Sequence, residues 1–215
     1  MFVFIDTAVK GCNVALADEG RIIAIHQEPI ERGHAEIIIP IFEKLLSDNG
    51  RKPSDVQHVF VTVGPGSFTG LRVGLTTARF IGFTLNIPVK GISSFQSFSC
   101  GVSGGKDRLV LVETKRSDYY VQLLNSAHKA LSEPQCIPTE GISNFVNAHP
   151  NAIVTGDAVS RFVDEHGAIE NAHQQDMIDL SAVAQTLCKA DLETRAPEAF
   201  YIRDADVSQP KKKTV

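Results

Sequence analysis

Val59-Phe60-Val61-Thr62-Val63 runs directly into Gly64-Pro65-Gly66-Ser67-Phe68-Thr69-Gly70-Leu71-Arg72-Val73-Gly74, and this junction decides how the rest of the chain is read. The first five residues are all β-branched or aromatic, the composition of a strand buried on both faces. Gly-Pro-Gly then ends the strand, because proline removes a donor and glycine frees the backbone to turn. Ser67 or Thr69 can cap a helix by accepting from its first unbonded N–H groups. No proline recurs until Pro88, so a helix is predicted from Phe68 to Leu85.

Within that helix Gly70, Gly74, Ala78 and Gly82 recur every four residues. Such a stripe forms a shallow groove that a neighbouring helix can approach closely. Leu71, Leu75 and Ile81 fall to one side of it, and Val73, Thr76, Phe80 and Phe83 towards another. Arg72 and Arg79 are its only charges, seven residues apart and therefore near one face. A helix apolar nearly all round is buried on more than one side. One side packs on the chain's own sheet; the other is either more core or a docking face for a second protein. On the docking reading, Thr69, Arg72, Val73, Thr76, Thr77, Arg79 and Phe80 make the contact, with Gly70, Gly74, Ala78 and Gly82 setting its closeness. A glycine turn opening a helix is also the shape of a phosphate cradle. The spacing here is neither Gly-x-Gly-x-x-Gly nor a P-loop, and no Lys-Ser/Thr follows. Gly-Pro-Gly-Ser-Phe is not a Gly-x-Ser-x-Gly elbow either, so Ser67 reads as a cap rather than a nucleophile.

Upstream of the junction, Phe2–Ile5, Cys12–Ala17 and Ile22–His26 read as a three-stranded meander, with Asp6-Thr7 closing the first strand. Ile37, Ile38, Ile41, Phe42, Leu45 and Leu46 follow helical spacing between Gly33 and Leu46. Pro40 lies near the first turns of that helix or kinks it. Pro88–Gly91 is a brief strand, and Ser93-Ser94 caps one more helix. The first hundred residues thus read β-β-β-α-β-α-β-α.

Gly101-Val102-Ser103-Gly104-Gly105 breaks the pattern and marks a boundary between residues 1–100 and a smaller unit, 101–205. The pattern then restarts. Leu111-Val112-Glu113-Thr114 repeats the grammar of Phe4-Ile5-Asp6-Thr7: strand, acid, threonine, short turn, strand. Helices are predicted over 142–148, 159–166 and 180–192, with strands at 152–155 and 199–202. Lys211-Lys212-Lys213 ends a polar tail, 206–215, expected to be disordered.

Composition narrows the function classes. With 215 residues, 43% hydrophobic and 21% charged, the chain has the makings of a soluble globular protein with a proper core. A net charge of −4 argues against a protein that grips nucleic acid alone. No apolar run approaches the ~18 residues of a membrane span, and Asp6 interrupts the first one, so neither a membrane segment nor a signal peptide is expected. Cys12, Cys100, Cys136 and Cys188 have no Cys-x-x-Cys pairing and read as reduced thiols of a cytoplasmic protein.

The motif GPGSFTGLRVG, Gly64 to Gly74, resembles the signature of the TsaB (YeaZ) family, the bacterial partners of the threonylcarbamoyl transferase TsaD. FVFIDTAVKGCNVAL, RGHAEIIIPIFEKLL and Phe200-Tyr201-Ile202-Arg203 resemble the same family, densely to about residue 100 and more thinly beyond. The resemblance implies an α/β, actin/Hsp70/sugar-kinase-like (ASKHA) fold of two related βββαβαβα lobes, the second reduced. It implies a non-catalytic subunit that pairs with TsaD through helix 68–85, and joins the ATPase TsaE in a larger complex. That complex transfers threonylcarbamoyl to N6 of adenosine 37 in tRNAs reading ANN codons (t6A). The chain would meet tRNA only through the complex, and two copies could pair through the same helix when TsaD is absent.

An actin-like ATPase needs hairpin acids for metal and water and a glycine pair for adenosine. Here Asp6 and Thr7 stand in the right place, Glu113 replaces the usual Asp, and the second half offers only Gly156. These read as vestiges of a nucleotide site, so no cofactor is expected; the alternative is a stand-alone actin- or sugar-kinase-like ATPase. TsaD binds its metal with two histidines on the helix equivalent to residues 33–46. Here His34 is followed at i+3 and i+4 by Ile37 and Ile38, so no metal site is expected.

Overall fold

The computed structural model describes residues 1–189 and 192–203. Strands β1 (Phe2–Asp6), β2 (Cys12–Asp18), β3 (Arg21–Glu28), β4 (His58–Gly64) and β5 (Val89–Ser93) form one sheet, ordered β3-β2-β1-β4-β5. The meander is antiparallel, whereas β4 and β5 run parallel to β1. Between them lie α1 (His34–Asp48) and α2 (Phe68–Leu85), and α3 (Ser94–Cys100) follows. The second half repeats the plan with β6 (Arg108–Glu113), β7 (Asp118–Leu124), β8 (Gln135–Pro138), α4 (Thr139–Asn147), β9 (Ile153–Gly156), α5 (Val159–His166), β10 (Ala172–Gln174) and α6 (Leu180–Cys188). Its order, read from the β8 edge as β8-β7-β6-β9-β10, is the first sheet's order position for position.

The two-residue period of the strands sorts the core into layers. In β1, Val3 and Ile5 face one way and Phe2 and Phe4 the other; in β6, Leu109 and Leu111 oppose Val110 and Val112. Val3, Ile5, Val59, Val61 and Val63 pack under α1 and α2 through Ile38, Phe42, Leu75 and Ile81. Leu109, Leu111 and Val121 pack under α4 and α5 through Ile142 and Phe162. Phe4, Phe60, Val110 and Val112 meet in the middle around Phe95 and Phe98 of α3 and Leu180, Val183 and Ala184 of α6. The chain is therefore layered helix, sheet, helix, sheet, helix, and its central layer is shared by both sheets.

Several expectations are corrected. Residues 199–202 form no strand. The chain pairs with β5 only at the Gly91–Arg195 bridge; Pro197 has no N–H, and the Glu198 N–H turns back to the Ala196 carbonyl. The last helix ends at Cys188. β8 and β10, with four and three residues, are additions to the sequence reading. Pro40 sits inside α1 as its seventh residue. The four cysteines are free thiols, two of them buried. Among the described residues no helix is long and apolar enough to cross a membrane. The tail, 206–215, lies outside the described residues.

Candidate functional site

Helix α2 starts where the sequence indicates: Ser67 is its N-cap, and its Oγ accepts from the Gly70 N–H at 3.2 Å. The glycines around that start face inward. The Ser67 N–H donates to the Ala8 carbonyl at 2.7 Å, and the Thr7 hydroxyl donates to the Gly70 carbonyl at 2.7 Å. A β-carbon on Gly66 would lie 2.2 Å from the Ala8 carbonyl oxygen, one on Gly70 1.8 Å from that of Thr7, and one on Gly74 2.5 Å from the Thr7 Oγ1. Gly82 meets Val89 in the same way. The small-residue stripe therefore lets α2 settle on its own sheet and on the loop after β1. Gly70 and Gly74 are buried within the chain rather than offered to a partner, and the turn's close approach is to backbone, not to a phosphate.

The opposite side of α2 is open. Phe68, Thr69, Arg72, Thr76, Arg79, Phe80 and Phe83 are exposed, whereas Val73 and Thr77 are half-buried and Val73 touches the core beneath. Phe83 is 88% exposed and Phe80 60%, more than any other large apolar side chain among the described residues. The Arg72 guanidinium lies 4.0 Å above the Phe68 ring, and the Tyr201 ring centroid lies 5.8 Å from that of Phe68. Phe68, Phe83 and Tyr201 are missing from the residues predicted for this face. The helical wheel already groups Phe83 with Phe80; nothing in the sequence brings Tyr201 there.

The two hairpin acids occupy equivalent places, Asp6 closing β1 and Glu113 closing β6. Both are engaged. The Ala8 N–H donates to Asp6 Oδ1 at 3.1 Å, and the Asn13 side chain donates to Oδ2 at 2.9 Å. Burial nevertheless pushes the Asp6 carboxyl above the usual carboxylate range. Glu113 accepts from the Lys115 N–H at 2.6 Å and pairs with the Arg161 guanidinium at 3.0 Å. Thr7 spends its hydroxyl on Gly70. Asp157, just after β9, completes the group: it accepts from the Glu113 N–H at 2.9 Å, and burial pushes its carboxyl up to about 7. Sequence reasoning saw only its neighbour Gly156, whose missing β-carbon admits the Leu111 carbonyl at 2.0 Å. Among the described residues no three His, Cys, Asp or Glu side chains gather to hold a metal. His34, half-buried at the start of α1, has no ligating neighbour on its helix. The buried thiols of Cys12 and Cys100 are pushed up to about 12, so neither offers a thiolate.

Comparison with known proteins adds an independent line. The family model described as TsaD, tRNA N6-adenosine threonylcarbamoyltransferase, matches residues 24–147. The tRNA threonylcarbamoyladenosine biosynthesis protein TsaB of Escherichia coli is 30% identical over 54% of this chain and 51% of its own length. The protein of the same name from Haemophilus influenzae is 25% identical over 93% and 92%. The match thus spans about half the length of the Escherichia coli relative, and nearly all of the other. Among solved structures, YeaZ from Pseudomonas aeruginosa superposes with a TM-score of 0.76 at 19% identity, covering 93% of this chain and 98% of that one. The activator of the 2-hydroxyisocaproyl-CoA dehydratase from Clostridium difficile, solved with bound ADPNP, reaches 0.50 at 12% identity over 88% and 94%. The fold is the actin/Hsp70/sugar-kinase-like one.

Proposed function

Because the chain belongs to the family of the tRNA N6-adenosine threonylcarbamoyltransferase TsaD, and within it to the TsaB (YeaZ) branch, we propose that it serves t6A formation as a non-catalytic subunit. On this reading it pairs with TsaD through the outer face of α2, joins TsaE in a larger assembly, and meets tRNA only as part of that assembly in the cytoplasm. The observation that carries the proposal is that face itself: Phe68, Phe80 and Phe83 exposed on one helix beside Arg72 and Arg79. Exposed apolar patches of this kind mark protein interfaces, and aromatic and arginine side chains are the ones that anchor them. A non-catalytic role agrees with acids already committed to internal partners, Asp6 to Asn13 and Ala8, Glu113 to Arg161.

Gel filtration with light scattering tests the proposal on this chain alone and mixed with TsaD of the same organism. A peak at the mass of one copy of each is expected, and Phe80→Glu is expected to abolish it without changing the melting temperature. Phe80 is the cleaner probe than Val73, which also touches the core. Failure of the wild type to pair, with TsaE and nucleotide present, would overturn the proposal.

A further inference from the structure

The motif Phe200-Tyr201-Ile202-Arg203 belongs to a segment that crosses the molecule outside both sheets. Its start is fixed at the edge of β5, where Arg195 and Gly91 exchange backbone hydrogen bonds of 2.8 and 2.9 Å. The Phe200 N–H then donates to the Val63 carbonyl at 2.8 Å, at the exit of β4. Gly64 is required there: its φ is +109°, and a β-carbon would lie 2.8 Å from the Phe200 carbonyl oxygen. Arg195 lies over the Phe200 ring. At the far end the Arg203 guanidinium pairs with the buried Asp118 carboxylate of β7 and donates to Cys136 Sγ of β8 at 3.0 Å. The segment is thus held on the first sheet at one end and on the second sheet at the other. Between these anchors Tyr201 lies against Phe68, yet both rings remain 47% exposed.

We propose that this strap is the second half of the docking face, with Tyr201 as a contact residue and Arg203 as the residue that positions it. This rests on the docking role proposed for α2. The chemistry of the surface also describes its occupant. The α2 face carries Arg72 and Arg79 and no acid, since Phe68–Leu85 contains neither Asp nor Glu. Seven residues are about 10.5 Å along a helix. The fitting partner is an apolar protein segment, best supplied by a helix, with carboxylates about two turns apart and a flat contact for the Tyr201–Phe68–Arg72 stack. A second copy fits less well, because a two-fold axis sets the arginines of one copy against those of the other.

The test measures the dissociation constant for TsaD of wild type, Tyr201→Ala, Tyr201→Phe and Arg203→Ala, with melting temperature recorded for each. Tyr201→Ala is expected to weaken pairing at least tenfold with the melt unchanged, and Tyr201→Phe to stay within twofold. Arg203→Ala is expected to weaken pairing and to speed hydrogen exchange at Phe200 and Tyr201. Wild-type pairing that Tyr201→Ala leaves within twofold overturns the strap's role while the docking helix stands. No pairing by the wild type overturns both.

Discussion

The Thr7 hydroxyl donates to the Gly70 carbonyl at 2.7 Å, while the Thr7 carbonyl oxygen occupies the space a side chain on residue 70 would need, 1.8 Å from its β-carbon. Helix α2 is therefore seated by backbone contact with the loop after β1. Gly70→Ala must push helix and loop apart, and such overpacking costs about 1–3 kcal/mol. At ~2–4 °C per kcal/mol for a chain of this size, a melting temperature lower by roughly 2–12 °C is expected. Gly105→Ala, where nothing lies within 4 Å, should leave it unchanged. Circular-dichroism melts decide the matter; equal melts for the two variants would remove the seating argument.

Among the described residues Arg108 is the largest fully buried side chain, 2% exposed. Its guanidinium donates to the carbonyls of Lys106 at 2.6 Å, Val102 at 2.7 Å and Gly104 at 2.8 Å, fixing the glycine-rich connection between the halves from beneath. Arg108→Leu leaves those carbonyls without donors. Orphaned buried groups cost ~1–3 kcal/mol each, and part of that is regained where the loop reaches water. A loss of about 3 kcal/mol is expected in urea titration, only partly restored by Arg108→Lys, whose single ammonium cannot reproduce the fork. A loss below about 1 kcal/mol would mean the loop holds itself.

How far this was legible in the sequence depends on the kind of information involved. The strands β1 and β4 announce themselves because a run of β-branched and aromatic residues has few other uses, and β6, alternating Leu and Val, follows because it repeats the strand, acid and threonine of β1. β8 (Gln-Cys-Ile-Pro) and β10 (Ala-His-Gln) do not, since three or four mixed residues carry no period. The Gly70–Gly82 stripe was visible, but periodicity identifies a face and not what it faces. Small residues suit a partner helix as well as the chain's own Thr7 and Val89. Asp157 and Tyr201 were hidden because each is defined by a partner far along the chain, Glu113 and Phe68, which only the folded layers bring near.

Asp157 gives a prediction whose sign can be worked out. Its carboxyl titrates near its ordinary value of 3.8 in the unfolded chain and is pushed up to about 7 in the fold, chiefly by burial. Below pH ~4 both states hold the proton, and its favourable contribution is fully present. Between about 4 and 7 the unfolded chain has released the proton while the folded chain keeps it, so stability falls as pH rises through this window; above about 7 the fall is complete. Asp6, raised in the same direction by burial, adds a decline of the same sign. Asp157→Asn keeps an oxygen to accept from the Glu113 N–H but has no proton to lose. The variant's melting temperature relative to wild type is therefore expected to climb from pH 4.5 to about 7 and then level off, the decline from Asp6 being common to both proteins and cancelling in the difference. A difference that stays constant across that range would show that Asp157 is solvated in the folded chain and titrates as an ordinary carboxylate.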